Sequence, residues 1–255
     1  MVQPPNIRVG IGGWTYEPWR GVFYPDKLPH RRELEYASQA FGAIEINATF
    51  YGRQSPKSWD AWGKVVPDGF RFAIKGSRYS VTRPKLADAE EAVETFLAQG
   101  MSALGDRLGP ILWMFAARRK FDRDDIAAFL DLLPTSLDGL PLRHVIEPRH
   151  ESFRDDAFFA LCRARDVAIV FGDADDVPCI EADTASFTYA RLKRMREEVA
   201  TGYGDAALDG FAERARGWSG QGRDSYLFLI NGAKVRAPAA ALALQQRLAA
   251  APLHG

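Results

Sequence analysis

An α/β barrel of eight strand–helix units, a TIM-type (β/α)8 fold in one domain over residues 1–255, is the architecture this sequence predicts. Three observations carry it. Short apolar runs rich in β-branched residues recur eight times along the chain. Dividing 255 residues by eight leaves about 32 per unit, close to the size of one βα repeat. Several runs, such as Val145-Ile146 and Leu227-Phe228-Leu229-Ile230, are apolar at both parities, which suits strands covered on both faces of a parallel sheet.

The strands are read at Ile7–Gly12, Ala43–Asn47, Arg71–Lys75, Pro110–Phe115, Arg143–Glu147, Ala168–Phe171, Phe187–Arg191 and Tyr226–Ile230. Helical stripes fill most of the gaps. Ser55-Pro56 is a capping serine followed by proline in the first turn, leading into Trp59, Trp62 and Val66. Ala89, Val93, Phe96, Leu97, Gly100 and Leu104 keep a helical period, with Glu90, Glu91 and Glu94 on other faces. Asp122 precedes the stripe Ile126, Phe129, Leu130 and Leu133, which Pro134 ends. Phe158, Leu161, Cys162 and Arg165 serve the fifth unit, Leu208, Phe211, Ala212 and Ala215 the seventh, and Ala239 to Ala250 the last. The sixth unit, Asp173 to Ala185, holds Pro178 and scattered acids but no stripe, so its helix is expected to be short or missing.

Composition excludes several classes. The chain has 33 basic and 33 acidic residues, a balance that argues against a broad polyanion binder while allowing a local basic pocket. Cys162 and Cys179 form no C-x-x-C pair and make no structural zinc site unaided; Cys162 reads as a small buried hydrophobe. The opening MVQPPNIRVG lacks a charged region followed by an apolar core, and no apolar run approaches the ~18 residues of a membrane span. A cytoplasmic protein with no membrane partner is therefore expected. Gly10, Gly12 and Gly13 fall at the end of the first strand, but Trp14 and Tyr16 stand where a dinucleotide pyrophosphate would need close backbone approach.

In barrels of this class the residues just past the carboxyl ends of the strands build the site. Those positions hold Trp14 and Tyr16 after strand one, Glu45, Asn47 and Tyr51 at strand two, and Lys75 at strand three. Glu147, Arg149 and His150 follow at strand five, Asp173 at strand six, Arg191 and Lys193 at strand seven, and Asn231 at strand eight. Glu45 and Asn47 are two apart on a strand and share a face, opposite Ile44 and Ile46. Plainer roles exist for each. A buried Glu45 needs a partner, which Lys75 on the next strand could be, and Glu147 could pair with Arg149. His150 could be a satisfied loop residue, and Trp14, Tyr16 and Tyr51 could be packing.

Acids and bases converging from several strands nevertheless suit two chemistries. In the first, Arg149, Arg191 and Lys75 clamp an anionic group while Glu45 or Glu147 moves a proton. In the second and weaker one, Glu147, His150, Asp173 and Glu45 hold a divalent metal. Only one histidine is available to it, and no H-x-x-x-H signature occurs. The residues call for no cofactor.

Gly10-Ile11-Gly12-Gly13-Trp14-Thr15-Tyr16 with Trp19 and Phe23-Tyr24-Pro25, then Glu45-Ile46-Asn47-Ala48-Thr49-Phe50-Tyr51, closely resemble the YecE-like family (domain of unknown function 72). The match continues in order through Phe72 to Lys75, Leu108-Gly109-Pro110, Glu147 to Phe153, Tyr189-Ala190-Arg191 and Tyr226 to Asn231 with Ala237-Pro238. The resemblance spans nearly the whole chain and implies a TIM-type barrel, but no reaction. Three departures matter. Arg83 follows Thr82 where the family usually has histidine, Met114 stands in place of a glutamine, and Arg191-Leu192-Lys193-Arg194 replaces an Arg-Phe-His-Gly run. Two histidines thus become cations, which weakens a metal reading and strengthens an anion-binding one.

The leading expectation is an enzyme acting on a small polar anionic ligand bearing phosphate or carboxylate, with Glu45 and Glu147 catalytic. Trp14, Tyr16, Asn47, Tyr51, Lys75, Arg149, His150, Asp173, Arg191, Lys193 and Asn231 would bind that ligand. A second reading is a nucleic-acid-binding or phosphodiester-processing barrel, with Trp14, Tyr16, Trp19 and Tyr51 stacking bases. Arg83, Arg118, Arg119, Lys120, Lys193 and Arg194 would then contact phosphates. A third is a catalytically inert binding module.

Overall fold

The computed structural model describes residues 6–175 and 177–250. Residues 1–5, the start of the segment read for a signal peptide, lie outside them. The barrel strands are β1 (Ile7–Gly12), β2 (Ala43–Ile46), β3 (Arg71–Lys75), β4 (Leu108–Met114), β5 (His144–Glu147), β6, β7 (Phe187–Leu192) and β8 (Asp224–Leu229). The sixth position is split into Ala168–Ile169, which pairs with β5, and Phe171–Asp173, which pairs with β7. All pairs within the barrel are parallel, and β1 lies between β2 and β8, so the ring closes through the jog at Val170, whose N–H donates to Ile146 O at 2.9 Å.

Among the described residues, seven helices of eight residues or more wrap the outside: α1 (Glu33–Ala40), α2 (Pro56–Val65), α3 (Glu90–Leu97), α4 (Arg123–Asp131), α5 (Asp156–Arg163), α6 (Asp205–Gly220) and α7 (Ala237–Ala249). Local chemistry explains their starts. The Ser55 hydroxyl accepts from Ser58 N at 3.1 Å ahead of Pro56, and Asp122 accepts from the amides of Asp124 and Asp125. Between Asp173 and Phe187 no helix occurs among the described residues, as the missing stripe predicts. The stripe read through Leu104 is not one helix. It stops at Leu97, Gly100 takes φ +91°, and a tighter 3-10 segment (Met101–Arg107) follows. Glycine supplies the left-handed turn, so a periodic pattern survives a break in the helix. Among the described residues no helix is long and apolar enough to cross a membrane.

The strands bury two faces. Ile11, Ile44, Ile46, Ile74, Ile111 and Ile146 point outward into the layer under the helices, where Cys162 of α5 is also fully buried. Ala43, Ala73, Leu112, Val145, Val170, Tyr189, Tyr226 and Phe228 fill the barrel interior. Small residues on β2 and β3 facing aromatic ones on β7 and β8 fit the ring without voids. Gly10 marks the tightest approach: a Cβ there would lie 2.0 Å from Ala43 O on the paired strand. Gly10→Ala is expected to cost about 1–3 kcal/mol in urea unfolding, since one strand must move for the methyl group to fit.

Candidate functional site

The inner apolar layer gives way at the carboxyl ends of the strands to a buried ionic cluster. Glu45 on β2 and Arg191 on β7 face each other across the barrel at 0% and 2% side-chain exposure. Arg191 Nη2 donates to Glu45 Oε1 at 2.9 Å and its Nε to Oε2 at 3.1 Å, a two-pronged fork. Tyr189, two residues earlier on β7 and therefore on the same face, donates its hydroxyl to Glu45 Oε2 at 2.7 Å. Glu147 on β5 takes the remaining Arg191 Nη1 on one oxygen and Lys193 Nζ on the other. Met114 lines the guanidinium, its Sδ 3.8 Å from Nη1.

The partner that sequence alone offers Glu45, Lys75, is not the one it takes. Arg191 reaches it from across the barrel instead, and a rigid fork satisfies two carboxylates at once, which a lysine ammonium does not. Burial by itself would raise the pKa of Glu147, but Arg191 and Lys193 outweigh it and hold the carboxyl at about 2. Burial would lower that of Arg191, yet Glu147 and Glu45 raise it further. Tyr189 is pushed well up by burial and by Glu45, so it remains a donor.

Above and beside this cluster a cavity of about 400 Å³ opens at the mouth. Its lining includes Trp14, Asn47, Tyr51, Trp62, Lys75, Asn231 and Lys234. Lys75 ends β3 at 7% exposure with its Nζ 4.4 Å from the Phe50 ring centre. That ring is placed by a one-turn helix (Ala48–Tyr51), pinned through Thr49 Oγ1 to Lys75 O at 2.7 Å. Burial, reinforced by Arg191, lowers the Lys75 amine to about 8, which Glu45 and Glu147 offset only in part. Lys234 follows β8 in a loop held by the buried Trp19, whose Nε1 donates to Lys234 O at 2.9 Å. Its Nζ lies 4.4 Å over the Tyr16 ring, and partial burial lowers its pKa.

Charge can be counted here. Glu45 and Glu147 are matched by Arg191 and Lys193, whereas neither Lys75 nor Lys234 makes an ion pair among the described residues. Two buried or partly buried ammonium groups therefore border one cavity without an ion-pair partner of their own among the described residues. Backbone geometry opens the same wall. Asn231 sits at φ +54° and Gly13 at φ +71°, both left-handed, where β8 and β1 leave the barrel.

The structure thus gathers Trp14, Asn47, Tyr51, Lys75 and Asn231 around the cavity, and Glu45, Glu147, Arg191 and Lys193 in the adjoining cluster. Tyr16 joins through Lys234. His150 and Asp173 are engaged elsewhere. His150 Nδ1 caps the turn at Ser152, accepting its N–H at 3.1 Å, and Asp173 accepts the Tyr203 hydroxyl at 2.6 Å. Arg149 does not line the cavity. Among the described residues no three His, Cys, Asp or Glu side chains gather as a metal would need. Sequence reading missed Lys234, Trp62 and Tyr189. Tyr189 could have been found from its parity with Arg191; Lys234 lies three residues beyond Asn231 in a loop whose path the sequence does not define.

A wider concavity of about 860 Å³ lies over the loops after β3 and β4, at the same end of the barrel. Its walls include Arg83, Lys85, Arg118 and Lys120, but also Asp122, Asp124 and Asp125, with Arg119 paired to Asp125 at 3.0 Å. Both sit at the carboxyl ends of the strands, but the mouth cavity takes in the buried Lys75, on which the ionic cluster acts, and is the better candidate.

Eight parallel strand positions closed into a ring, with a buried ionic cluster at their carboxyl ends, define a protein of the TIM-barrel class. The chain belongs to the family described as "Protein of unknown function DUF72", which it matches over residues 8–254. It is similar to UPF0759 protein YunF of Bacillus subtilis (strain 168), 30% identical over 69 residues. That stretch is 27% of this chain and spans only 23% of YunF. Among solved structures it resembles a DUF72 family protein of Thermotoga maritima MSB8, with a TM-score of 0.72 and 24% identity, covering 94% of this chain and 97% of that one. A second DUF72 family protein, from Enterococcus faecalis V583, gives 0.70 at 18% identity and covers 96% of both chains. At these identities the two structures speak for the fold.

Proposed function

We propose that this protein is an enzyme acting on a small anionic ligand, carrying a phosphate or carboxylate group, in the cavity at the barrel mouth. The observation that carries the reading is the pair Lys75 and Lys234, two cations on one cavity wall that form no ion pair among the described residues. An ammonium removed from water without a partner is unfavourable, and a ligand anion is the group that would relieve both. Asn47 and Asn231 add amide donors and acceptors, and Trp14, Trp62 and Tyr51 add flat apolar walls.

Proton transfer was expected of Glu45 and Glu147. Their oxygens already accept from Arg191, Tyr189 and Lys193, so in this reading they hold the cationic array in place. Lys75, whose amine is lowered to about 8, is better poised to exchange a proton near neutral pH. A cytoplasmic location belongs to the same proposal.

Inorganic phosphate is the first probe. At a hundredfold excess over its Kd it should raise the melting temperature by about 5–10 °C, from about 2.7 kcal/mol of linkage at 2–4 °C per kcal/mol. The double variant Lys75→Met/Lys234→Met should lose that shift. An equal shift in the double variant would remove the mouth as the anion site.

The second reading, nucleic-acid binding, is supported by the basic residues of the wider concavity, Arg83, Lys85, Arg118 and Lys120. Three aspartates in the same wall set it behind the first. Binding of a labelled oligonucleotide that weakens steeply with salt would favour it. Anion binding without turnover of any substrate would instead mark an inert binding module.

A further inference from the structure

We propose that Lys75 is a nucleophilic amine that forms a Schiff base with the carbonyl group of a small oxo-compound whose anionic group is held by Lys234. This deepens the reading above and rests on it: the substrate class becomes a phosphorylated or carboxylated aldehyde or ketone.

Four features of the mouth support the assignment. Lys75 ends a barrel strand, so its amine is held by a rigid element rather than a loop. It lines the cavity while only 7% exposed, and Nζ makes no ion pair or hydrogen bond among the described residues. Every other charged side chain at this depth is committed: Glu45 to Arg191, and Glu147 to Arg191 and Lys193. A lysine left uncommitted inside a fully paired cluster is therefore the group with a free lone pair once it loses its proton. The neighbouring cations and burial favour that loss, and bring the amine to about 8 rather than its ordinary 10.5.

The step balances without an added reagent. The Lys75 nitrogen, after releasing a proton to solvent, attacks the carbonyl carbon, forming a C–N bond and a carbinolamine. The carbinolamine oxygen leaves as water, taking up two protons, one from the nitrogen and one from solvent. Loss of that water leaves the iminium directly, its nitrogen keeping the last of its three hydrogens. The sum is ammonium plus carbonyl giving iminium plus water, with one positive charge on each side. That charge stays where Glu45 and Glu147 already act on it. Trp14 and Trp62, packed edge to face at 5.1 Å, give the cavity a flat apolar wall beside the amine.

Borohydride trapping tests this on the whole protein, with dihydroxyacetone phosphate and pyruvate as probes. The expected result is one reduced adduct on the peptide carrying Lys75, its formation rising with pH and levelling above about pH 8. Lys75→Arg keeps the charge but cannot form an imine. It should retain the phosphate-induced melting shift and lose the adduct. Lys234→Met should raise the probe concentration for half-maximal trapping by about tenfold or more, as loss of a hydrogen bond to a charged group predicts. Adducts spread over exposed lysines, or persisting in Lys75→Arg, would overturn the inference. Absence of any adduct while phosphate still raises the melting temperature would overturn the Schiff base and leave the anion site standing. Absence of both would remove both.

Discussion

Replacing Arg191 with methionine is expected to lower the free energy of unfolding by about 3–5 kcal/mol, the cost of stranding buried charge. The side chain is 2% exposed and donates three of its prongs to Glu45 and Glu147, themselves at 0% and 1%. Methionine fills much of the volume, so packing is a small part of the loss. What remains is Glu45 with only the Tyr189 hydroxyl and Glu147 with only Lys193, two carboxylates facing one interior. Urea unfolding followed by tryptophan fluorescence measures the difference. The deficit should shrink as pH falls toward 5, because stranded carboxylates with raised pKa take up protons and become neutral. A loss below about 1 kcal/mol would place this pair in the range of surface ion pairs and refute the cluster as a structural unit.

Acidification itself should destabilise the native protein by about 3 kcal/mol through one residue at the other end of the barrel, His144, whose pKa is 2.5 below its ordinary 6.5. Burial lowers it to about 4, with the Pro134 carbonyl opposing. Its Nδ1 accepts from Trp113 Nε1 at 3.1 Å, so the proton sits on Nε2, which donates to Pro134 O at 2.8 Å. Protonation would put a second hydrogen against the indole donor. The folded pKa lies below the unfolded one, so this contribution is complete above about pH 6.5 and is lost as pH falls to about 4. Glu147 extends the same slope. Its folded value of about 2 lies below 4.5, so its contribution is lost between those limits. His144→Gln keeps an acceptor and a donor and should flatten the unfolding slope between pH 6.5 and 4 by about one proton. An unchanged slope would contradict the assignment.

Much of the barrel was readable along the chain. Strands covered on two faces must be apolar at both parities, so Ile44 and Ile46 under the helices and Ala43 inside announce themselves locally. Caps at Ser55 and Asp122 are equally local, because each is a side chain meeting amides two or three residues away. Helix α1 was harder. Its stripe is short and carries Glu33 buried against Arg20, with Nη2 2.5 Å from Oε1, a partner 13 residues back that periodicity cannot supply. The break after Leu97 was hidden for a related reason, since a helical stripe continues across a left-handed glycine when the same face stays against the barrel.

Residue type and strand position alone placed Glu45, Lys75, Glu147 and Arg191 near one end of a barrel, because strand ends converge wherever the ring closes. Which of them pair was settled only in three dimensions. Arg191 meets Glu45 from 146 positions away in the chain, and Lys193 meets Glu147 from 46. Such pairings depend on the stagger of the ring, on Val170 bridging the split strand, and on the reach of each side chain across the interior. Lys75, which the sequence offers both as a ligand-binding cation and as a partner for Glu45, forms no ion pair among the described residues, and Lys234 enters from a segment that only the closed barrel brings to the mouth. A residue's availability is a property of everything within a few ångströms of it, and those neighbours are chosen by tertiary packing rather than by sequence order.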